Sequence, residues 1–230
     1  MAKQHLKKGA AYGVHIFTAL GAGLGLWALI LTFNGAFQQA IWVLAAAAVI
    51  DSVDGTIARK LHIKENAGKI DGALLDNIID YLNWTIAPLF WGYMTMSIPI
   101  WVILVCAVAS ALGFSNTQAK TNDHFFKGFP NYWNFVIFYL YLLHIPLLIG
   151  SAILLFCAAA VFIPLRYIYP SRTEFLRPLT LVLGGLYALQ IVLVLYFFER
   201  SPDWLLYSSL TFPVYYFLLS FYLNFKTNPA

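Results

Sequence analysis

Four aspartates, Asp51, Asp54, Asp76 and Asp80, stand at spacings that let them act together. Asp51 and Asp54 lie at i and i+3, and Asp76 and Asp80 at i and i+4, so in helices each pair shares one face. Both pairs interrupt apolar sequence, where an ionised carboxylate costs roughly 2.5–3.5 kcal/mol on membrane-insertion scales. Gathered together they also repel one another, and a bound cation relieves that repulsion. Oxygen-only donors suit Mg2+, Mn2+ or Ca2+ rather than zinc. An ion that keeps open positions can grip a diphosphate and stabilise charge developing on it. Two other readings stand beside this one. Helix capping accounts for Asp71 at a helix start and would serve for Asp76, but not for Asp51 and Asp54 together at a helix's far end. A cation- or proton-coupled transporter also places carboxylates in membrane helices. Against it, the aspartates cluster at one edge, and no pair of broken helices is evident at mid-depth.

The elements that must hold these residues are membrane helices. The 230 residues are 61% hydrophobic and only 10% charged, where a soluble domain carries about 25% charge. The surplus apolar surface must face lipid. A crossing takes roughly 20 mainly apolar residues. Runs near 10–32, 36–58, 98–118, 179–199 and 203–225 qualify, and 72–93 qualifies despite Asp76 and Asp80. The run 131–164 is too long for one crossing, and Pro146, following His144, divides it into 131–144 and 146–164. The expected fold is an all-α integral membrane bundle of about eight helices, a single domain over 1–230. On eight crossings, Lys3, Lys7, Lys8, Arg59, Lys60, Lys64, Lys69, Lys120, Lys127, Arg166, Arg172, Arg177 and Lys226 share one side, and Arg200 is alone on the other. That bias places both termini and the aspartates on the cytoplasmic side. The net charge of +4 therefore reads as topology, not as a nucleic-acid footprint. The first apolar run is too long for a cleavable signal peptide and lacks a small-residue cleavage site. Inner loops 59–71, 119–130 and 165–178 are longer than outer loops such as 33–36 and 94–97, so binding capacity is expected inside. Cys106 and Cys157, both in apolar runs, read as packing residues.

Small residues beside the aspartates narrow the chemistry. Gly55, Ala58 and Gly72 leave backbone open to a flat ring or a phosphate, and Arg59 can pair with phosphate or carboxylate. Together they read Asp51-x-x-Asp54-Gly55-x-x-Ala58-Arg59, twelve residues, then Gly72-x-x-x-Asp76-x-x-x-Asp80. This string resembles the signature of the CDP-alcohol phosphotransferase family of integral membrane enzymes. The twelve-residue spacer is longer than the usual one and resembles the variant in bacterial members whose acceptor is choline. Segments Phe125–Asn134 and Arg166–Arg172 resemble the same branch.

The resemblance implies that Asp51, Asp54 and Asp76 are ligands to Mn2+ or Mg2+, and that Asp80 is the general base and a further ligand. It implies a cytidine pocket at Gly55, Ala58 and Gly72, supported by Arg59 and faced by Thr18. The implied reaction is attack of choline's hydroxyl on CDP-diacylglycerol at the inner membrane of a bacterium, with release of CMP and a homodimer as the assembly. Glycerol phosphate, serine or inositol are the alternative acceptors. A quaternary ammonium has no hydrogen-bond donor, so aromatic faces are its expected partners. Trp84, one turn beyond Asp80, and Tyr132 and Trp133 at the fifth helix's inner start are the candidates; aromatic belts at the interface are the competing explanation. Arg166 and Arg172 are candidates for the lipid phosphate, with positive-inside anchoring the rival. His15, His62 and His124 show no metal-ligand spacing, His144 falls on the outer side, and Gly21 and Gly25 read as a helix-packing face.

Overall fold

The computed structural model describes residues 2–60, 70–119, 121, 123 and 125–227, with backbone alone at 2–8, 10, 56, 58–60 and 227. The described residues are mainly helical, and each apolar run read as a crossing is helical over most of its length, two of them with an interruption. Three stretches are long and apolar enough by themselves to cross a membrane: Ala11–Phe33, Arg177–Arg200 and Asp203–Lys226. Large apolar side chains are exposed along the helices, among them Leu148 at 83%, Phe225 at 79% and Phe33 at 73%. Surface of this kind is what lipid, not water, accommodates. The chain forms two compact units, residues 1–103 with 133–138, and residues 104–132 with 139–230.

In the first unit, α1 (Ala2–Phe33) and α2 (Phe37–Lys60) form a helical hairpin. Gly35, at φ 75°, ends α1. The Ala36 N–H donates to Leu31 O at 2.9 Å and the Gly35 N–H to Thr32 O at 3.1 Å, which closes a Schellman turn around a residue free to adopt positive φ. Small side chains let the helices close: Ala28, buried with Val43, Leu44 and Ala87, forms one such cluster. Asp71 caps α3 (Gly72–Asp80) by accepting from the Ala73 and Leu74 N–H groups at 3.0 and 3.1 Å. The run 72–93 is not one regular helix. After Asp80 it widens into a π-helical turn, Tyr81–Ile86, before α4 (Ala87–Met96) resumes. Pro88 supplies the reason, since it lacks an N–H and its ring crowds the carbonyl four residues back. The Trp91 indole N–H donates to Phe37 O at 3.1 Å and fixes α4 against the start of α2. Helix α5 (Ile100–Ser115) passes from the first unit into the second, and α6 (Trp133–Leu142) begins in the first.

The expected turn at 144–146 is present, with His144 at φ 51° and Pro146 leading α7 (Leu147–Ala160). Helix α8 (Arg177–Phe197) follows, and the run 203–225 divides into α9 (Asp203–Ser209) and α10 (Thr211–Thr227). Pro213 explains the division, because its ring clashes with the Ser209 carbonyl in a continuous helix. The sequence pattern did not suggest strands, yet β1 (Phe125–Lys127) and β2 (Arg166–Ile168) pair antiparallel, with Phe126 opposite Tyr167. The free edge of β2 is occupied by side chains of α10. Asn224 Oδ1 accepts from the Arg166 N–H at 2.9 Å, its Nδ2 donates to Arg166 O at 2.6 Å, and Ser220 Oγ accepts from the Ile168 N–H at 3.1 Å. An unpaired strand edge is thereby satisfied without a third strand. Gly128, at φ 82°, follows β1 where a Cβ would lie 2.2 Å from Val161 O, so only glycine fits. The expected packing role of the cysteines fits as well: Cys106 is buried, with Sγ 3.6 Å from Leu154 O, and Cys157 is half-buried and free.

Candidate metal and nucleotide site

Three helices of the first unit build one small cavity. Thr18 and Gly21 come from α1, Ala47, Ile50, Asp51 and Asp54 from α2, and Asp76, Ile79 and Asp80 from α3. Carboxylate oxygens of Asp51, Asp76 and Asp80 lie within 4.8 Å of one another, each residue half-buried. Asp54 is only 4% exposed and lines the same cavity outside that tight triplet. No basic side chain is among the described residues lining it. Three converging carboxylates in partly dry surroundings, with no cation in the lining, fit a hard divalent ion. The predicted pairs therefore do meet across two helices.

The neighbouring small residues have distinct settings. Gly55 is half-buried beside Asp54, and Gly72 is the first residue of α3. The backbone of Ala58 and Arg59 continues α2, but their side chains lie outside the described residues. Outside them too are Lys64, Lys69, Lys120, His62 and His124, together with the side chains of Lys3, Lys7, Lys8 and Lys60. Gly21 and Gly25 do form a packing face, and what they admit is specific. A Cβ at Gly21 would lie 2.7 Å from Ile79, and one at Gly25 2.4 Å from Asn83 Oδ1. Asn83 Nδ2 donates to Gly21 O at 3.0 Å, tying the π-helical turn after Asp80 to α1. Sequence spacing could not reveal Ala47 or Ile50 as site neighbours, because each meets the cavity through interhelical register. The intrahelical signal available was the smallness of Gly21 and Ala47.

The choline candidates separate. Trp84 lies in the π-helical turn with its ring 6.0 Å from that of Phe135, and Trp133 is fully buried in the same unit. Tyr132 belongs to the second unit, edge-on to Tyr216 at 5.8 Å. Arg166 pairs with Asp123 and lies over the Phe125 ring at 4.3 Å, and Arg172 lies over Tyr169 at 4.9 Å. The Asp123 carboxyl is held below the usual carboxylate range, first by its hydrogen bond with Thr121 and then by Arg166.

Comparison with known proteins identifies the family. The CDP-alcohol phosphatidyltransferase profile matches residues 14–165, a span that contains every residue of the cavity. The chain belongs to the CDP-alcohol phosphatidyltransferase family. Relatives at useful identity cover nearly its whole length. It is 37% identical over 224 residues to a phosphatidylcholine synthase of Legionella pneumophila, spanning 93% of this chain and 88% of that one. It is 36% identical over 225 residues to the phosphatidylcholine synthase of Borreliella burgdorferi, at 94% and 95% coverage. The Agrobacterium fabrum phosphatidylcholine synthase is 31% identical over 220 residues, at 94% and 91%.

Proposed function

We propose that this chain is a phosphatidylcholine synthase that transfers the phosphatidyl group of CDP-diacylglycerol to choline and releases CMP. The observation that carries the reaction class is the convergence of Asp51, Asp76 and Asp80 within 4.8 Å in a cavity shared with Asp54. The acceptor is supported by near-full-length similarity to relatives named phosphatidylcholine synthase.

Asp51, Asp54 and Asp76, with Asp80 at the same cavity, would hold Mn2+ or Mg2+. Such an ion, when bound, neutralises the diphosphate and eases departure of CMP. Asp80 takes the proton of choline's hydroxyl as that oxygen bonds to the lipid-side phosphorus. The bond from this phosphorus to the bridging oxygen breaks, and the bridging oxygen leaves on CMP. The remaining task is positioning. Gly55, Ala58 and Gly72 are proposed, on the family resemblance, to form the cytidine pocket, with Thr18 facing it and Arg59 supporting it. Trp84 and Trp133 are proposed to offer aromatic faces to the trimethylammonium group, and Tyr132 is proposed independently as such a face. Arg166 and Arg172 are proposed to hold lipid phosphate. The proposed topology is eight crossings of a bacterial inner membrane, one domain, with both termini and the cavity on the cytoplasmic side, supported by the distribution of Lys and Arg. A homodimer is proposed from family resemblance alone.

The test is CMP release and phosphatidylcholine formation by purified protein given CDP-diacylglycerol and choline, with Mn2+, with Mg2+ and with chelator. Metal-dependent formation of phosphatidylcholine is expected. CMP release with glycerol phosphate, serine or inositol but not choline would reassign the acceptor. Absence of CMP release with every alcohol, alongside cation flux into vesicles, would replace the enzyme reading by transport.

A further inference from the structure

His15 was unremarkable as sequence, one of several scattered histidines, and the fold gives it an unusual setting. It lies on α1 at 6% exposure, and its Nε2 is buried with no hydrogen-bond partner among the described residues. Buried polar atoms in native proteins nearly always have a partner, so an orphan imidazole nitrogen points to a group that arrives from outside the chain. The Cε1–Nδ1 edge of the ring faces the start of α3. A Cβ at Gly72 would lie 3.0 Å from His15 Cε1 and 3.5 Å from Nδ1, so the imidazole rests against bare backbone at the start of α3.

Position relative to the aspartates identifies what would arrive. His15 precedes Thr18 by three residues on α1, and Gly72 precedes Asp76 by four on α3. Thr18 and Asp76 both line the aspartate cavity. The His15–Gly72 contact therefore lies one helical turn, about 5 Å, from the cavity, toward the N-terminal end of both helices. Ala11 and Val14 are buried on the same stretch of α1, packed with Ile57, which follows Asp54 by one turn on α2. Among the described residues, this level combines apolar side chains with an unpartnered imidazole nitrogen, the surroundings of a flat heterocycle with a polar edge. From a diphosphate held at the aspartates, one arm of a CDP-lipid is a nucleoside and the other diacylglycerol. Acyl chains offer nothing to a buried nitrogen, and choline's one hydroxyl is engaged at Asp80.

We propose that His15 is a nucleoside-binding residue, its Nε2 hydrogen-bonding the polar edge of the cytosine ring while Gly72 makes room for the imidazole. Either tautomer has a complement, because the cytosine edge carries an amino donor beside ring-nitrogen and carbonyl acceptors. Gly72 then serves the nucleotide through His15. The inference rests on the aspartate cavity being the CDP-lipid site.

The experiment measures CMP affinity in Mn2+ by calorimetry, and KM for CDP-diacylglycerol and choline separately. His15→Phe keeps a flat ring and removes the nitrogen. It is expected to weaken CMP binding and raise the CDP-diacylglycerol KM by about ten-fold, leaving the choline KM unchanged. His15→Gln is expected to recover part of that loss, which a purely space-filling role would not allow. Gly72→Ala, which pushes the ring aside, should act in the same direction, and the His15→Phe/Gly72→Ala double variant should fall short of the summed effects. Wild-type CMP affinity in folded His15→Phe, or an equal rise in both KM values, overturns the assignment. If His15→Phe does not fold, unchanged CMP affinity in Gly72→Ala overturns it instead. Failure of the wild-type protein to bind CMP or release it from CDP-lipid would defeat the parent reading, an outcome distinct from a normal wild type with indifferent His15 variants.

Discussion

Residues 1–103 and the second unit join their helices by different means. In the first unit the helices approach through small residues, with Gly21 against Ile79, Gly25 against Asn83, and Ala28 in a cluster with Val43 and Leu44. Its carboxylates are gathered at a cavity. In the second unit, polar side chains connect one element to another: Tyr139 with Ser209 at 2.7 Å, Thr180 with Tyr215 at 2.7 Å, and Asn224 with both backbone groups of Arg166. Stacked rings add to this, such as Tyr167 on Tyr216 at 6.3 Å and Tyr187 on Phe212 at 5.1 Å. The difference teaches where charge is needed for chemistry and where polarity is needed for folding. A membrane interior gives helices little hydrophobic reason to associate with one another, so close packing and interhelical hydrogen bonds are the two means available. The first unit relies mainly on packing, and its acids converge on one cavity.

The contrast makes predictions that can break it. The largest effect is expected at Asp80. Asp80→Asn should cut turnover by roughly 10²–10⁴-fold, with CMP affinity and the detergent melting temperature close to wild type. A matching fall in melting temperature would mean that the acid is structural. Next comes Asn224→Leu in the second unit, which strands the Arg166 N–H and carbonyl. It should lower stability by about 1–3 kcal/mol, read as a melting shift in detergent, while metal dependence is unchanged. Trp84→Ala should raise the choline KM by about five-fold, on the order of 1 kcal/mol of cation–π interaction. An equal rise in the CDP-diacylglycerol KM would count against an aromatic contact to choline.

The smallest effect is expected at Asp123. Its carboxyl is held below the usual range by Thr121 and Arg166, so the folded state favours the ionised form. That contribution is fully present above the unfolded carboxylate value near 4 and disappears as pH falls through the lower folded value. Asp123 is exposed, so Asp123→Asn should cost no more than about 0.2–1 kcal/mol at pH 7 and nothing at the acid end. A pH-independent loss would show that the pair acts through shape.

Much of the helical framework was legible in the apolar runs, including the break at 144–146, because a proline and a run too long for one crossing leave few alternatives. The π-helical turn at Tyr81–Ile86 was less visible. Its cause, Pro88, is plain in the sequence, but apolar periodicity does not register a single widened turn. The β1–β2 ribbon escaped because three-residue strands are too short to set an alternating pattern, and because part of its pairing comes from Asn224 and Ser220 on a helix more than fifty residues away in sequence. Trp133, read as a choline candidate at the inner start of the fifth helix, is fully buried, and burial depends on neighbours that its local sequence does not name.

What sequence alone determined about this protein is the intrahelical part of its chemistry. Helical period places Asp51 with Asp54 and Asp76 with Asp80, each pair on one helix face. The tertiary structure decided everything that depends on register between helices. It brings Asp51, Asp76 and Asp80 into one triplet with Asp54 at its side, ties the turn after Asp80 to Gly21 through Asn83, and buries His15 against Gly72. The division is physical. Spacing within a helix follows from covalent geometry, whereas the meeting of residues 15 and 72 follows from which packing of whole helices leaves the fewest gaps and unmet hydrogen bonds.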